Sequence, residues 1–171
     1  MLFHGSIWTC YRQLYVASPD CRDHLPEDAT KGQSNGLCGG AVPGALFLTV
    51  GIHTGSVPLR VMLYDAAPPI DPSWDEIVEA SCSFTSVPVH LQSWAGEKSV
   101  ELALSVGQYR ARFCAKSFGT MDELGEGESD ASAEDYLLAF WADVPKSDMV
   151  IKQTSDRAAY WHREARKTAQ N

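Results

Sequence analysis

Hydrophobic and polar residues alternate with a period of two along much of this chain, which is the pattern of half-buried β-strands. The alternating runs are 12–18, 46–52, 57–63, 78–84, 87–91, 100–106 and 109–115. Two pairs of runs flank short turns, Thr54-Gly55 and Gly107-Gln108, and each pair predicts a β-hairpin. In the second hairpin we expect Glu101 to lie beside Arg110 or Arg112 on the solvent face.

Two segments near the end depart from this alternation. Residues 136–141 (YLLAFW) are apolar on both faces, as in a central strand that is covered on both sides. The run Thr154-Ser155-Asp156 is a good helix start, and apolar residues then recur at helical spacing, so we predict a helix over 155–168. The whole pattern predicts one domain over 1–171, an all-β, two-layer antiparallel β-sandwich with a C-terminal α-helix.

Two long stretches lack the strand pattern. Residues 19–42 form a mostly polar loop rich in Gly and Pro, and loops of this length are usually functional or disordered. Residues 66–76 are Pro-rich and end in Trp74-Asp75-Glu76.

Composition narrows the class of protein. The chain has 171 residues, enough to bury a core without disulfides or metal. Its five cysteines are widely spaced, with no Cys-x-x-Cys pair. No apolar run reaches the roughly 18 residues of a membrane span, and the N-terminus does not resemble a signal peptide, so we expect a cytoplasmic protein without membrane association.

Charge is distributed unevenly along the chain. The net charge is −8, and residues 122–144 hold 8 Asp/Glu and no Lys or Arg. Residues 145–171 carry 6 Lys/Arg and 3 Asp/Glu, so a basic tail follows the acidic stretch. This distribution argues against a phosphate-neutralising face for nucleic acid and favours a basic protein partner.

The acidic loop, 119–134, precedes the predicted central strand. The loop and the residue that follows it carry seven carboxylates: Asp122, Glu123, Glu126, Glu128, Asp130, Glu134 and Asp135. They could supply an electrostatic field for a partner. Alternatively, they form a solubilising loop that keeps an apolar strand from pairing with other chains.

Motifs for catalysis or metal binding are sparse, and we predict no catalytic residue, no metal and no cofactor. No GxSxG, Walker A or HExxH pattern occurs. Three alternatives stay open: a His53/His90 site with Asp65 or Asp75, a Cys21–His24–Cys38 metal site, and calcium on the acidic residues.

The tryptophans divide into two groups. Trp141 and Trp161 fall at apolar positions of predicted elements, so we expect them in the core. Trp74 and Trp94 lie at loop ends, where they serve either as core covers or as exposed binding anchors.

Three phrases resemble the competence protein J family, the Nin DNA-entry nuclease inhibitors. These are YRQLYV (11–16), Trp74-Asp75-Glu76 after a Pro-rich loop, and SVELALSVGQYRARFCA (99–115). YLLAFWADVP and VIKQTSDRAAYWH also resemble the C-terminal part of uncharacterised bacterial β-sandwich proteins. The chain departs from the family pattern by the extra hairpin predicted at 45–65.

The resemblance implies a small acidic inhibitor that binds a nuclease and blocks its active site. On this interpretation the seven carboxylates supply the field, and Trp74, Asp75, Glu76 and Trp94 belong to the partner-binding surface. Two other classes of function remain as alternatives. One is a β-sandwich that binds a small molecule or sugar over Trp74 or Trp94, and the other is a hydrolase near His53 or His90.

Overall fold

The computed structural model describes residues 1–21, 26–96, 98–119 and 133–168. These residues form a curled sheet and two helices. The strands are β1 (Phe3–Cys10), β2 (Gln13–Ala17), β3 (Cys38–Gly39), β4 (Ala45–Thr49), β5 (Thr54–Tyr64), β6 (Glu76–Phe84), β7 (Val89–Ser93), β8 (Ser99–Leu102), β9 (Gly107–Lys116), β10 (Asp135–Ala142) and β11 (Met149–Lys152). The helices are α1 (Pro26–Ala29) and α2 (Asp156–Thr168), and a 3-10 turn covers Trp94–Gly96.

The sheet is mixed, so the prediction of an all-antiparallel arrangement is wrong. Its main path runs β11-β6-β9-β10-β5-β1-β2-β4-β3, with β7 and β8 branching from β2. Strand β10 pairs in parallel with β5, from Tyr136 opposite Leu59 to Trp141 opposite Tyr64. The described strands form one connected sheet, so the two-layer sandwich is not confirmed, whereas the mainly β class and the C-terminal helix are.

Both predicted hairpins are wrong. Strand β5 pairs with β1 and β10 rather than with β4, and β9 pairs with β6 and β10 rather than with β8. Thr54 and Gly107 are the first residues of strands, not parts of tight turns. Alternation defines the two faces of a strand, but it does not define which strand lies beside it.

The core lies inside the curl of the sheet. Strand β10 contributes three fully buried side chains, Tyr136, Leu138 and Phe140, to the main hydrophobic cluster. The other long strands contribute to the same cluster. On the other face of β10, Trp141 is 4% exposed, as predicted for a strand that is covered on both sides. Helix α2 packs against the same cluster through Ala158 and Trp161.

A buried carboxylate fixes the start of helix α2. Glu76 accepts hydrogen bonds from the backbone N–H of Thr154 (3.1 Å) and of Ser155 (2.7 Å). The Ser155 hydroxyl in turn accepts from the N–H of Ala158 at 3.1 Å, as an N-cap residue does. Glu76 therefore satisfies backbone groups beside a helix N-terminus from inside the fold, where it is 1% exposed.

The Pro-rich stretch crosses the outer face of the central strands. Arg112 donates to the carbonyl of Pro68 at 2.7 Å, and both Arg110 and Arg112 bind the carboxylate of Glu79, at 3.1 and 2.8 Å. The expected pairing with Glu101 on a wet face is wrong, because this face is covered and Glu79 lies directly opposite Arg112 on β6. These charges are buried, and because a buried charge without a partner is costly, their mutual pairing is required for the fold.

The long loop 19–42 is partly structured. It contains α1 and the two-residue strand β3, which pairs with β4. Asp148, which directly precedes β11, accepts hydrogen bonds from the backbone N–H groups of Ser34 (2.8 Å) and Asn35 (2.7 Å). These bonds hold the loop beside the start of β11. Of the helices in the described ranges, none is long and apolar enough to cross a membrane.

Candidate functional site

The turn between β1 and β2 has an unusual backbone. It consists of Tyr11 and Arg12 alone, which join Cys10 to its partner Gln13, and their φ angles are 55° and 64°. Two left-handed residues in succession suit a tight hairpin turn, a position that usually carries Asn or Gly. A side chain in this conformation costs roughly 1–2 kcal/mol, so the fold must hold the turn in place.

Backbone hydrogen bonds clamp this turn to the loop that follows β4. The N–H of Arg12 donates to the carbonyl of His53 at 3.0 Å, and its carbonyl accepts from the N–H of Val50 at 2.9 Å. The turn is therefore rigid, and it directs Tyr11 outward while Arg12 is 5% exposed.

Three aromatic side chains meet at the surface beside this turn, and we call them the aromatic trio: Tyr11, His53 and Trp94. The ring of Tyr11 contacts Trp94 at a centroid distance of 5.0 Å and His53 at 5.2 Å, both edge to face. Tyr11 is 52% exposed and Trp94 is 38% exposed. Large, rigid and exposed aromatic side chains are the residue types that dominate binding energy at protein interfaces.

Beneath the trio, charged groups converge on Gly51. The guanidinium groups of Arg12 and Arg157 both donate to its carbonyl oxygen. Its N–H donates to the hydroxyl of Tyr136 at 2.7 Å, and that hydroxyl donates to Glu134 at 2.6 Å. Burial, and then the charge of Glu134, raise the pKa of Tyr136 well above its ordinary value. This buried polar cluster joins the turn, helix α2 and the start of β10.

We call residues 120–132 of the acidic loop the acidic segment, and the described residues on both sides of it lie at this cluster. A Cβ atom at Gly51 would lie 2.8 Å from the carbonyl oxygen of Phe118 and would collide with the carboxylate of Glu134. Residues 120–132, which carry Asp122, Glu123, Glu126, Glu128 and Asp130, fall outside the described residues. The chain leaves and re-enters the described structure beside Gly51, two residues from His53 of the trio.

A cleft of about 340 Å³ opens on the other side of Tyr11. Its walls come from the turn, β2, β4, α1 and α2. Four aromatic side chains line it: Tyr11, Phe47, Tyr160 and Trp161. Two carboxylates, Glu27 and Glu164, line it as well.

The other residues predicted from the Trp-Asp-Glu stretch lie elsewhere. Trp74 is 4% exposed, and the cationic groups of Arg60 and Lys116 approach its ring at 5.4 and 5.5 Å. Asp75 accepts from the N–H of Ser117 at 2.9 Å, on the outer side of the sheet.

The two carboxylates at the end of the acidic loop have separate positions. Glu134 is 1% exposed and belongs to the buried polar cluster. Asp135 forms an ion pair with Arg60 at 2.7 Å, in a second cleft of about 420 Å³ that Trp74 also lines. Of the predicted partner-binding residues in the described ranges, Trp94 alone belongs to the trio, where it is 38% exposed.

His53 and His90, the two histidines of the possible hydrolase site, have different neighbours in the described structure. His53 contacts Tyr11 and lies 2.9 Å from the hydroxyl of Thr54, whereas His90 lies on β7 opposite Glu101. His24 of the possible Cys–His–Cys site falls outside the described residues. Among residues with described positions, no group of three or more His, Cys, Asp or Glu side chains is arranged to hold a metal ion.

The cysteines are all free thiols, and three are buried. Burial raises the pKa of Cys82 and of Cys114 to about 12 and that of Cys38 well above its ordinary value. These thiols are protonated at neutral pH, so they are poor nucleophiles and poor metal ligands.

Two solved structures share this fold. ComJ from Bacillus subtilis, described as an inhibitor of the DNA-degrading activity of NucA, matches with a TM-score of 0.51 and 17% identity, over 84% of this chain and 99% of that one. The protein described as crocagin biosynthetic gene J matches with a TM-score of 0.53 and 12% identity, over 84% of this chain and 97% of that one. The structural resemblance expected from the sequence is thus confirmed. No family model matches the chain, and no curated protein matches its sequence.

Sequence reasoning missed the turn and most of the trio. In the structure the exposure of residues 3–10 alternates, and β2 begins after only two intervening residues, which is the spacing of a two-residue hairpin. The intervening pair is Tyr-Arg rather than Asn-Gly, so the usual composition signal is absent.

Proposed function

We propose that this protein is a non-enzymatic, protein-binding inhibitor, and that its partner is a basic protein such as a nuclease or toxin. The observation that carries the proposal is the position of the aromatic trio. The trio is exposed and held on a rigid turn. Beside it, the chain leaves the described structure before the acidic segment and re-enters it after that segment.

The two features have complementary roles in binding. A nuclease must present positive charge to phosphate groups, and five carboxylates in one segment attract such a surface and accelerate association. Tyr11 and Trp94 then supply buried contact area, and their preorganisation reduces the entropy lost on binding. Glu134 and Glu76 support the fold from within, so we assign the contacts to the five carboxylates outside the described residues and to the trio.

The fold comparison and the cysteines support this proposal. ComJ, which has the same fold, is described as an inhibitor of a DNA-degrading enzyme. The five free thiols fit a protein that acts in the reducing cytoplasm.

The test is capture followed by an enzyme assay. The immobilised chain is exposed to lysate of the source cell at low salt and washed with about 0.5 M salt, where the Debye length falls to a few ångströms. The eluate is then assayed for DNA degradation with and without excess chain. We expect nuclease activity in the eluate that the added chain suppresses. An eluate without any activity that the chain inhibits would rule the nuclease partner out.

A charge-neutralised variant tests the acidic segment without disturbing the buried cluster. Its substitutions are Asp122→Asn, Glu123→Gln, Glu126→Gln, Glu128→Gln and Asp130→Asn. We expect binding to weaken by roughly tenfold or more, mainly through slower association. If this variant captured the partner as tightly as the parent chain, the segment would have only a solubilising role.

A matched pair of double variants separates the location of charge from its amount. Glu126→Gln with Glu128→Gln removes two charges from the acidic segment, whereas Asp65→Asn with Glu101→Gln removes two exposed charges elsewhere. Only the first double variant, Glu126→Gln with Glu128→Gln, should associate appreciably more slowly with the partner. Equal effects would mean that net charge, rather than the segment, governs binding.

A further inference from the structure

The cleft beside Tyr11 combines two features that recognise a cation. Rings of Tyr11, Phe47, Tyr160 and Trp161 line it, and the faces of such rings attract a positive charge. Glu27 is exposed and adds a carboxylate.

The protein's own cations already use the same chemistry along helix α2. The guanidinium of Arg163 lies 5.5 Å from the centre of the Tyr160 ring, and the ammonium of Lys167 lies 2.7 Å from the Glu164 carboxylate. The side chains of Arg163 and Lys167 are 57% and 62% exposed. Exposed ion pairs of this kind are worth little, so a cation from outside can replace them at small cost.

The other cation at the cleft is already engaged. Arg12 lines the cleft, but its guanidinium is buried and bound to the carbonyl of Gly51. Its charge belongs to the buried polar cluster that contains Glu134. The attraction of the cleft for an outside cation therefore comes from the aromatic rings and Glu27, and from Glu164 once the ammonium of Lys167 is displaced.

We propose that this cleft receives an arginine or lysine side chain of the partner protein. Tyr11 is both a member of the trio and a wall of the cleft, so the two surfaces are continuous. A basic partner that docks on the trio would place its side chains at the mouth of the cleft. This inference rests on the proposed inhibitor role and specifies which side chains of the partner bind there.

The first test uses a small probe and no partner. Nα-acetyl-arginine amide is titrated into the full chain, with Nα-acetyl-norleucine amide as the uncharged probe of similar length. The indole N–H signal of Trp161, assigned from its loss in Trp161→Phe, reports binding by NMR. We expect saturable shifts with the arginine amide and affinity at least about threefold weaker for the norleucine amide. Equal affinities would overturn the proposal.

Variants of the cleft give effects of opposite sign. Glu27→Gln should weaken binding of the arginine amide by about threefold, because a carboxylate is lost. Lys167→Ala should tighten it, because the competing cation on Glu164 is removed. Glu101→Gln, an exposed carboxylate on β8, is the matched control and should leave the affinity unchanged. A Lys167→Ala variant that binds no better, or a Glu27→Gln variant that binds as well as the parent, would refute a cation site.

The probe measurement and the nuclease capture fail independently. If the arginine amide does not bind, the cleft is not a cation site, although the inhibitor role can still hold through the trio and acidic segment. If the amide binds but no nuclease is inhibited, the proposed partner is wrong, and so is the assignment of the occupant to that partner.

Discussion

The hydroxyl of Tyr136 donates a 2.6 Å hydrogen bond to the carboxylate of Glu134, two residues earlier in the chain. The same hydroxyl accepts a 2.7 Å bond from the N–H of Gly51. The hydroxyl of this central-strand residue thus binds both Glu134, the last carboxylate of the acidic loop, and the loop that carries His53. A core tyrosine therefore links the fold to the surface where we place partner binding.

Removal of this hydroxyl should destabilise the protein. Tyr136→Phe leaves the N–H of Gly51 without its acceptor and removes a donor from a buried carboxylate, a loss of about 1–3 kcal/mol. Urea denaturation measures the change in the free energy of unfolding. Tyr64→Phe, on the neighbouring strand, is the control, and it should stay within about 0.5 kcal/mol of the parent. Equal effects of the two variants would show that the hydroxyl bonds of Tyr136 contribute nothing special.

A methyl group at Gly51 should disrupt the same cluster. Gly51→Ala places its Cβ 2.8 Å from the backbone oxygen of Phe118 and against Glu134, and overpacking of this kind costs roughly 1–3 kcal/mol. Gly5→Ala is the matched control on β1, where the nearest atom is the end of the Phe3 ring at 3.3 Å. A strand glycine replaced by alanine should gain about 0.5–1 kcal/mol. Thermal unfolding should therefore separate the two variants in opposite directions, and a stable Gly51→Ala protein would contradict the close packing.

The elements that sequence predicted well have local signals. Helix α2 begins with Ser155 as its N-cap and shows apolar residues at helical spacing, so the prediction of 155–168 agrees with Asp156–Thr168. Strand β10 is apolar on both faces, and its central, doubly covered position is confirmed. In both cases the information lies within a dozen or so residues.

Strand partners depend on distant parts of the chain. The parallel pairing of Tyr136 with Leu59 joins residues on either side of four intervening strands and the acidic segment. The period of two in β5 and β9 is correct, but their neighbours do not follow from it. Likewise, we expected Arg110 and Arg112 on a solvent face, but distant segments cover them: Pro68 and Pro69 contact Arg112, and the carbonyl of Lys146 accepts from Arg110.

The candidate site shows the same division. Trp94 was predicted from its residue type and loop position, and it lies in the trio. The cluster at Gly51 assembles Arg12, Glu134 and Arg157 from three distant segments. No spacing in the sequence indicates that these residues meet, so their roles follow only from the folded structure.

Relief of the strained turn should separate stability from binding. Tyr11→Asn puts a residue that tolerates left-handed φ at a position with φ of 55°, so the free energy of unfolding should be unchanged or slightly higher. The loss of the exposed ring should weaken partner capture by roughly tenfold or more, as for an interface hot spot. Val106→Asn is the control, because Val106 is 56% exposed but belongs to neither the trio nor the cleft. If Tyr11→Asn retained the partner as well as the parent does, the trio would not be the anchor.

The buried His162 should make stability depend on pH. Its Nδ1 accepts the N–H of Gly36 at 3.0 Å, so the ring is held in its neutral form. Burial, followed by the charge of Arg166 and opposed by Asp148, lowers its pKa from 6.5 to about 4. Between these values the unfolded chain binds a proton that the folded protein does not. The free energy of unfolding should therefore fall by up to about 1.4 kcal/mol per pH unit as pH drops from 6.5 towards 4, and this contribution should level off below 4.

Urea denaturation at several pH values between 7 and 4 measures this dependence, with His162→Gln as the comparison. Glutamine keeps a hydrogen-bond acceptor for Gly36 but cannot titrate. The variant should therefore lose the pH dependence of the free energy of unfolding between pH 6.5 and 5. We also expect it to be less stable than the parent at pH 7. Below about pH 5 the carboxylates also titrate, and both proteins then share the remaining decline. Parallel curves for the parent and the variant above pH 5 would show that His162 titrates alike in the folded and unfolded states, against the tight burial that the Gly36 contact implies.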